Sequence, residues 1–400
     1  MNLLKFVVVT FFAIASILQI AGSINVEGQA ATQAPTVPCN LGSNNGPNGL
    51  VSAPIFSADE AIFRKDYEVS DGLGPCYNAQ SCSCCHGNSC PGGNSQVNNI
   101  QAGNLSGGVF TPHLGGTLIQ ERSIGWGMQD HLTPADNIVR FRMSPLVFGA
   151  GFVECIADST LAAIQASQPP AIQGTIVQVP VLEAPGIFRT GRFGWKDIHG
   201  SLLSMCAAEL RDQIGITNAL IPTESACING SALDTVADGE DPGSDLAALV
   251  EFIRATRAPQ RGTITPAVLM GQSLFNSCGC AGCHVTTIVT APPGTIINGG
   301  TFLIPPALGN KIINPFSDFL LHDINSGDTI PSPPPGTPEM VRTSPLWGLI
   351  LRTRFMHDGL SFSLQAAIQR HGGQAAPSRS CFNNLLPGQK AQVIAFLNSL

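Results

Sequence analysis

Cys82-Ser83-Cys84-Cys85-His86 and Cys280-Ala281-Gly282-Cys283-His284 are the two stretches that decide how this chain is read. Each has the form C-x-x-C-H, the attachment pattern for c-type haem. Two thiols a helical turn apart can add to the two vinyl groups of one porphyrin. The adjacent histidine then lies under the iron as its proximal nitrogen ligand. With 13 Cys and 8 His in 400 residues, about 0.01 chance matches are expected. A thioredoxin-like redox pair does not need the histidine that follows both motifs. Zinc ligands split between sites about 200 residues apart do not resemble a compact ribbon or finger. The reading is two covalent haems, held by Cys82 and Cys85 and by Cys280 and Cys283, with His86 and His284 on the irons. Cys84 lies inside the first motif and Cys278 beside the second, yet neither completes another copy.

Composition bounds the rest. An apolar fraction of 44% supports real cores, and the length suits two or three domains. Gly and Pro number 43 and 30, so loops and turns should be abundant. The net charge of −7 argues against nucleic acid as partner and is compatible with a basic electron donor. After Lys5, Phe6 to Ile20 is a nearly unbroken apolar run, and Ala21-Gly22-Ser23 offers a small-residue cleavage site. Residues 1–23 read as a secretory signal, or as a membrane anchor if they stay attached. Export suits covalent haem and places the protein in the periplasm or on the outer side of a bacterial inner membrane. The nine cysteines outside the haem pairs could include disulfides there. Their odd number leaves at least one free or paired with another chain.

Along the chain, residues 24–55 read as a linker or irregular arm. Residues 56–245 and 246–400 read as two cytochrome-c-like haem domains, mainly α with extensive loops and a small β decoration in the first. Ala58 to Val69 has helical spacing. Asn88 to Gly108 is Asn/Gly/Ser rich and reads as loop. Thr117 to Ile124 and Ile172 to Val181 have strand-like composition. Leu202 to Leu210 reads as a helix. Asp245 can cap a helix bearing Leu246, Leu249, Val250 and Ile253. Thr265-Pro266 starts a helix that feeds the second motif. The chain ends in an amphipathic helix from about Gly388 to Ser399.

Further stretches carry a family resemblance. Asp71-Gly72-Leu73-Gly74-Pro75 before the first motif, Gly191-Arg192-Phe193-Gly194-Trp195-Lys196, Ser317-Asp318-Phe319-Leu320-Leu321-His322-Asp323, Arg342-Thr343-Ser344-Pro345-Leu346-Trp347-Gly348-Leu349, Met356-His357-Asp358-Gly359 and Ala367-Ile368-Gln369-Arg370-His371-Gly372-Gly373 together resemble the bacterial di-haem oxidoreductase family. That family is distantly similar to the di-haem cytochrome c peroxidases. The resemblance spans residues 59 to 400 and implies two haem domains facing each other. It also implies a soluble cytochrome or copper protein as electron donor and a small oxidant such as peroxide. Calcium between the domains is known in related enzymes, though no ligand loop is evident here.

The second axial position decides what each iron can do. For the second haem His371 is the candidate distal ligand, with two glycines after it that would let backbone approach the porphyrin; Met356 is its competitor. For the first haem the candidates are His113, Met143 and Met205, or an open site. Trp195 resembles a tryptophan between the haems of the related peroxidases. Arg192 and Arg342 suit the propionates, because guanidinium binds carboxylate in a fork. His322 and His357 each precede an Asp and could hold a propionate or a proton path. Glu209 survives as an acid/base candidate where the peroxidases also carry a Gln, a place taken here by Met205. His131 and His199 have no motif and read as surface. A non-catalytic electron carrier, a thiol-oxidising enzyme and a cell-surface binding role stand as alternatives.

Overall fold

A computed structural model describes residues 30–37, 46–225, 227, 236–331 and 337–400. The signal segment 1–23, Cys39 and the centre of the Pro331–Pro338 turn region lie outside the described residues. The remainder is a mixture of helices, many turns and several small sheets rather than a mainly helical fold. Strands also occur throughout the second half, for example Lys311–Ile313, Leu321–Asp323 and Met340–Arg342. The expected confinement of β structure to the first domain is therefore corrected. No helix among the described residues is long and apolar enough to cross a membrane.

The arm is not a free linker where it is described. Thr32–Gln33 pairs in parallel with Lys311–Ile313, and Thr36–Val37 pairs in parallel with Ala258–Pro259. Asn48 then donates its side-chain amide to Arg254 O and Thr256 O. Helix α1, Ala53–Arg64, starts earlier than its apolar spacing suggests, because Pro54 suits a first turn whose N–H groups have no helical partner. One turn, α2 (Cys82–Cys85), carries the first motif.

The Asn/Gly/Ser-rich stretch read as loop contains the strand Asn98–Ser106, which pairs with Val109–Pro112, Leu118–Ile119 and Ile138–Met143 in a four-stranded antiparallel sheet. Its register sets Asn98 against Met143 and Gly103 against Ile138. Cross-strand pairing outweighs the weak β-propensity of this sequence. Gly103 is required at its place: a Cβ there would sit 2.5 Å from the Phe110 ring.

Helices α3 (Ala150–Glu154), α4 (Asp158–Ser167), α5 (Leu202–Glu209) and α6 (Ser244–Ala255) complete the first half. Sequence assigns α6 to the second unit, but it packs on α1, α3 and α5. Phe252 meets Phe56 at 5.1 Å and Phe63 at 4.8 Å between ring centres. Asp245 does not cap α6. Asp241 does, accepting from the N–H groups of Gly243, Asp245 and Leu246, while Asp245 accepts from Lys65 and Tyr67. The core around these helices is continuous with Ile313, Phe319 and Trp347 of the second half.

Helix α7 (Pro266–Ser277) begins as expected, with Thr265 Oγ1 accepting from Val268 N–H. It ends at Gly279, whose φ of 80° closes the helix and leads into the Cys280–Gly282 turn. Helices α8 (Leu364–Gln369), α9 (Ala376–Asn384) and α10 (Pro387–Leu397) enclose a second core with Phe275, Phe316 and Phe355.

Candidate functional site

The second motif opens onto a cavity of about 1400 Å³ counted with its mouth, lined by Cys280, Cys283, His284 and His371 together with apolar residues such as Leu274, Phe275, Leu346, Ile368 and Phe382. His284 arrives from the turn after α7, and His371 from just beyond the end of α8. Their ring centres are 6.5 Å apart. His284 Nδ1 lies 2.9 Å from Phe316 O, and His371 Nδ1 lies 2.8 Å from Ala367 O. Each Nδ1–H thus donates to a carbonyl, which leaves each Nε2 with its lone pair free to bind a metal. Burial lowers the His284 pKa to about 4 and lowers that of His371 as well, so both rings are neutral and ready to ligate.

These residues fit a haem. A metal ion between two imidazoles, with bonds of about 2.0–2.1 Å, sets ring centres roughly 6.4 Å apart. The observed separation matches that span. The two glycines after His371 also pack closely against the protein. A Cβ on Gly373 would meet Asp323 O at 2.4 Å, and one on Gly372 would meet Asn325 Cβ at 2.9 Å. They allow close approach to the strand end at Asp323. The disulfide Cys278–Cys381 ties the motif to α9.

The first motif is built differently. Cys82 and Cys85 are half-buried on α2, and burial pushes their thiols up to about 12 and about 11. His86 is pulled to about 4 by burial, and its Nδ1 is buried without a hydrogen-bond partner. The Pro145 and Gly93 backbones lie beside the ring and partly offset that lowering. Glu209, at the end of α5, is near enough to raise both Cys82 and Cys85. The residue as a whole is exposed, but burial of its carboxyl, and then Asp212, push that group up to about 7. Met205 lies one turn earlier on α5 and packs against the same core. Cys84 is exposed, with its sulfur 3.2 Å from Ser81 Oγ.

Other candidates fall in distinct places. His113 is not a surface loop residue: it is buried, its Nδ1 is 2.9 Å from Asp136 Oδ2, and its Nε2 is buried without a partner. Its hydrogen bonds tie it to the sheet and to the turn at Asp136. His199 is likewise packed in, and burial lowers its pKa to about 4. Met143 ends the strand Ile138–Met143, and its N–H donates to His357 O. Trp195 donates Nε1–H to Met143 O at 2.8 Å and meets the His357 ring edge-on at 6.2 Å. Both Trp195 and His357 line the second cavity, so the indole spans from the first-half sheet to that wall.

Arg192 is corrected. It is fully buried and committed to Asp158, Ile156 O and Thr190 O, which leaves no fork for a propionate. Arg342 does line the cavity, with Nε donating to Gly194 O. His322 pairs with Asp318, four residues back, at 2.8 Å rather than with Asp323. Burial opposes its protonation, but Asp318 and Cys283 raise it to about 10. Asp358 pairs with Arg370, leaving His357 Nδ1 buried and unpartnered. Arg352 also lines the cavity and was missed by sequence reading; its signal was only the Leu-Arg-Thr-Arg run before Phe-Met-His-Asp-Gly.

A family model described as "Di-haem oxidoreductase, putative peroxidase" matches residues 119–400. No curated protein matches. Among solved structures, a MauG-like protein associated with microbial copper homeostasis is 16% identical, with 92% of this chain and 93% of that chain covered and a TM-score of 0.42. The di-haem peroxidase BthA from Burkholderia thailandensis is 13% identical, with 93% of each chain covered and a TM-score of 0.42. Hydrazine synthase from Kuenenia stuttgartiensis is 15% identical, with 92% and 97% covered and a TM-score of 0.37.

Proposed function

The chain belongs to the di-haem oxidoreductase family, which implies two haems, and from that premise we propose that it is an exported c-type cytochrome with peroxidase-like activity. Cys82 and Cys85 hold one porphyrin and Cys280 and Cys283 the other, with His86 and His284 as proximal ligands. His371 closes the second iron, which suits that haem to electron transfer. Glu209 would stand beside the first haem, which when bound would supply the chemistry for reducing a small oxidant such as peroxide. Bound haem supplies the one-electron chemistry that side chains lack.

The chain's own residues prepare each step. The Phe316 and Ala367 carbonyls hold His284 and His371 in the tautomer that ligates. Apolar side chains make up most of the wall of the second site. Trp195 spans the distance between the first-half sheet and the second cavity. Glu209, with a carboxyl raised to about 7, can hold or deliver a proton near neutral pH. A soluble donor protein would feed the second haem. The disulfides Cys76–Cys227 and Cys278–Cys381 support an oxidising compartment, as does the apolar N-terminal run.

The observation that carries this reading is the facing pair His284 and His371, 6.5 Å apart with both Nδ1 atoms engaged. The test is intact mass, electron paramagnetic resonance and peroxide turnover on protein from a host competent in cytochrome maturation. Two haem masses, one bis-histidine low-spin signal and donor-dependent peroxide reduction are expected. A single haem mass overturns the di-haem assignment. Two six-coordinate haems with no turnover leave an electron carrier and overturn the enzyme.

A further inference from the structure

The second cavity carries an unbalanced positive charge. Two guanidiniums, Arg342 and Arg352, line it, and no Asp or Glu does. What holds them differs. Arg342 Nε donates to Gly194 O at 2.7 Å and lies 3.5 Å from Asp197 Oδ1, an acidic side chain that burial pushes up and Arg342 pulls back. Arg352 has no carboxylate partner among the described residues. One of its terminal nitrogens donates to Pro345 O at 3.1 Å, and the other reaches Ser344 Oγ at 3.5 Å. Its Nε is buried with no partner at all. Burial and the neighbouring Arg342 lower its pKa to about 10, as befits a cation without its counter-ion.

A half-buried guanidinium whose Nε is sealed from water without a partner is costly to keep charged. The balance is restored if the occupant of the cavity brings the anion. A guanidinium fork with an unused Nε–H is shaped for a carboxylate. Arg354, two residues on, shows the contrast: it stacks over Phe362 at 5.7 Å and does not line the cavity. We propose that Arg352, with Ser344 beside it, forms the carboxylate subsite that receives the propionate groups of the second porphyrin, while Arg342 is a wall residue anchored on Gly194 O. The proposal rests on the second-haem reading above. It moves the anion clamp from Arg192 and Arg342, where the sequence places it, to a residue no motif singles out.

The experiment is spectroelectrochemistry of the holoprotein, following the second haem's reduction equilibrium in Arg352→Gln, Arg352→Lys and the control Arg354→Gln. Removing a cation beside the propionates makes the ferrous state less favourable. Arg352→Gln should shift the equilibrium at least tenfold toward the oxidised form, about 59 mV for a one-electron couple. Arg352→Lys keeps the charge but loses the fork, so it should shift less and still alter the propionate bands in resonance Raman spectra. Arg354→Gln should leave both unchanged. An equilibrium within twofold of wild type in a natively folded Arg352→Gln overturns the proposal. So does an equal shift in Arg354→Gln. Should Arg352→Gln fail to fold, unaltered propionate bands in Arg352→Lys overturn it instead. Wild-type mass is read first: absence of the second haem overturns the functional reading itself, whereas its presence with an indifferent Arg352 overturns only the subsite.

Discussion

Replacing Asp328 with Asn should destabilise the protein in a manner that depends on pH. Asp328 is fully buried. Its carboxylate accepts from Arg142 at 2.9 and 3.3 Å and from Ile330 N–H at 3.2 Å, and it lies 3.6 Å from Lys196 Nζ. It therefore ties the first-half sheet to the loop before Met340 and to the segment carrying Trp195. Asn keeps the shape and can still accept from Ile330, but it leaves two cations without a counter-charge. Breaking a buried ion pair costs about 3–5 kcal/mol, and the retained hydrogen bond argues for the lower end. At an unfolding entropy of about 2.1 cal/mol/K per residue over roughly 350 residues, 3 kcal/mol lowers Tm by about 4 °C. Burial alone would raise the Asp328 pKa, but Arg142 and Lys196 hold it below the usual carboxylate value. Its stabilisation is thus complete above the unfolded pKa of about 3.9 and is lost as pH falls through the lower folded value. Calorimetry of wild type and variant at pH 7, and at steps below pH 4, should show a gap in Tm that narrows in acid. Equal Tm values at pH 7, or a gap that stays constant into acid, would refute the reasoning.

His371→Met should raise the second haem's potential above that of the bis-histidine form, read by redox titration; an unchanged potential would mean that His371 is not the ligand. Glu209→Gln should lower kcat for peroxide by about 10²-fold or more, the usual range for a lost proton donor, while leaving both haem spectra intact; wild-type turnover would remove Glu209 from the chemistry. Trp195→Phe should slow electron passage between the haems in stopped-flow traces and cost only about 1 kcal/mol in denaturant unfolding, the worth of its hydrogen bond to Met143 O. Replacing both Cys278 and Cys381 with Ser opens a link across 103 residues. Chain entropy assigns about 4.7 kcal/mol to such a link, and a loss under 1 kcal/mol in chemical denaturation would contradict that account.

Some of this was written plainly in the sequence. A covalent haem site would demand a fixed spacing of thiols and imidazole, so both C-x-x-C-H motifs stand out, and the place of His371 opposite His284 was traceable through the segment that precedes it. The start of α7 was legible because Thr265 and Pro266 act locally. The Asn98–Ser106 strand was not, because its partners lie across a hairpin and at residues 138–143, and its own composition favours turns. The cap of α6 was misassigned by four residues, since Asp241 reaches forward over Gly243. Arg352 and Asp328 were invisible for a related reason. A charge's role depends on which counter-charge the fold brings to it. Arg192 lost its propionate role to Asp158 by the same rule.

The pairing of Thr32 with Lys311 joins points 279 residues apart. In a polymer made from its amino end, the earliest of the described strands waits for its mate until most of the chain exists. The entropy of closing so long a loop grows only slowly with length, but such distant contacts form late in a search. The leading segment therefore acts as a late latch: it can close only once the strand at Lys311–Ile313 is in place beside Ile288–Val289.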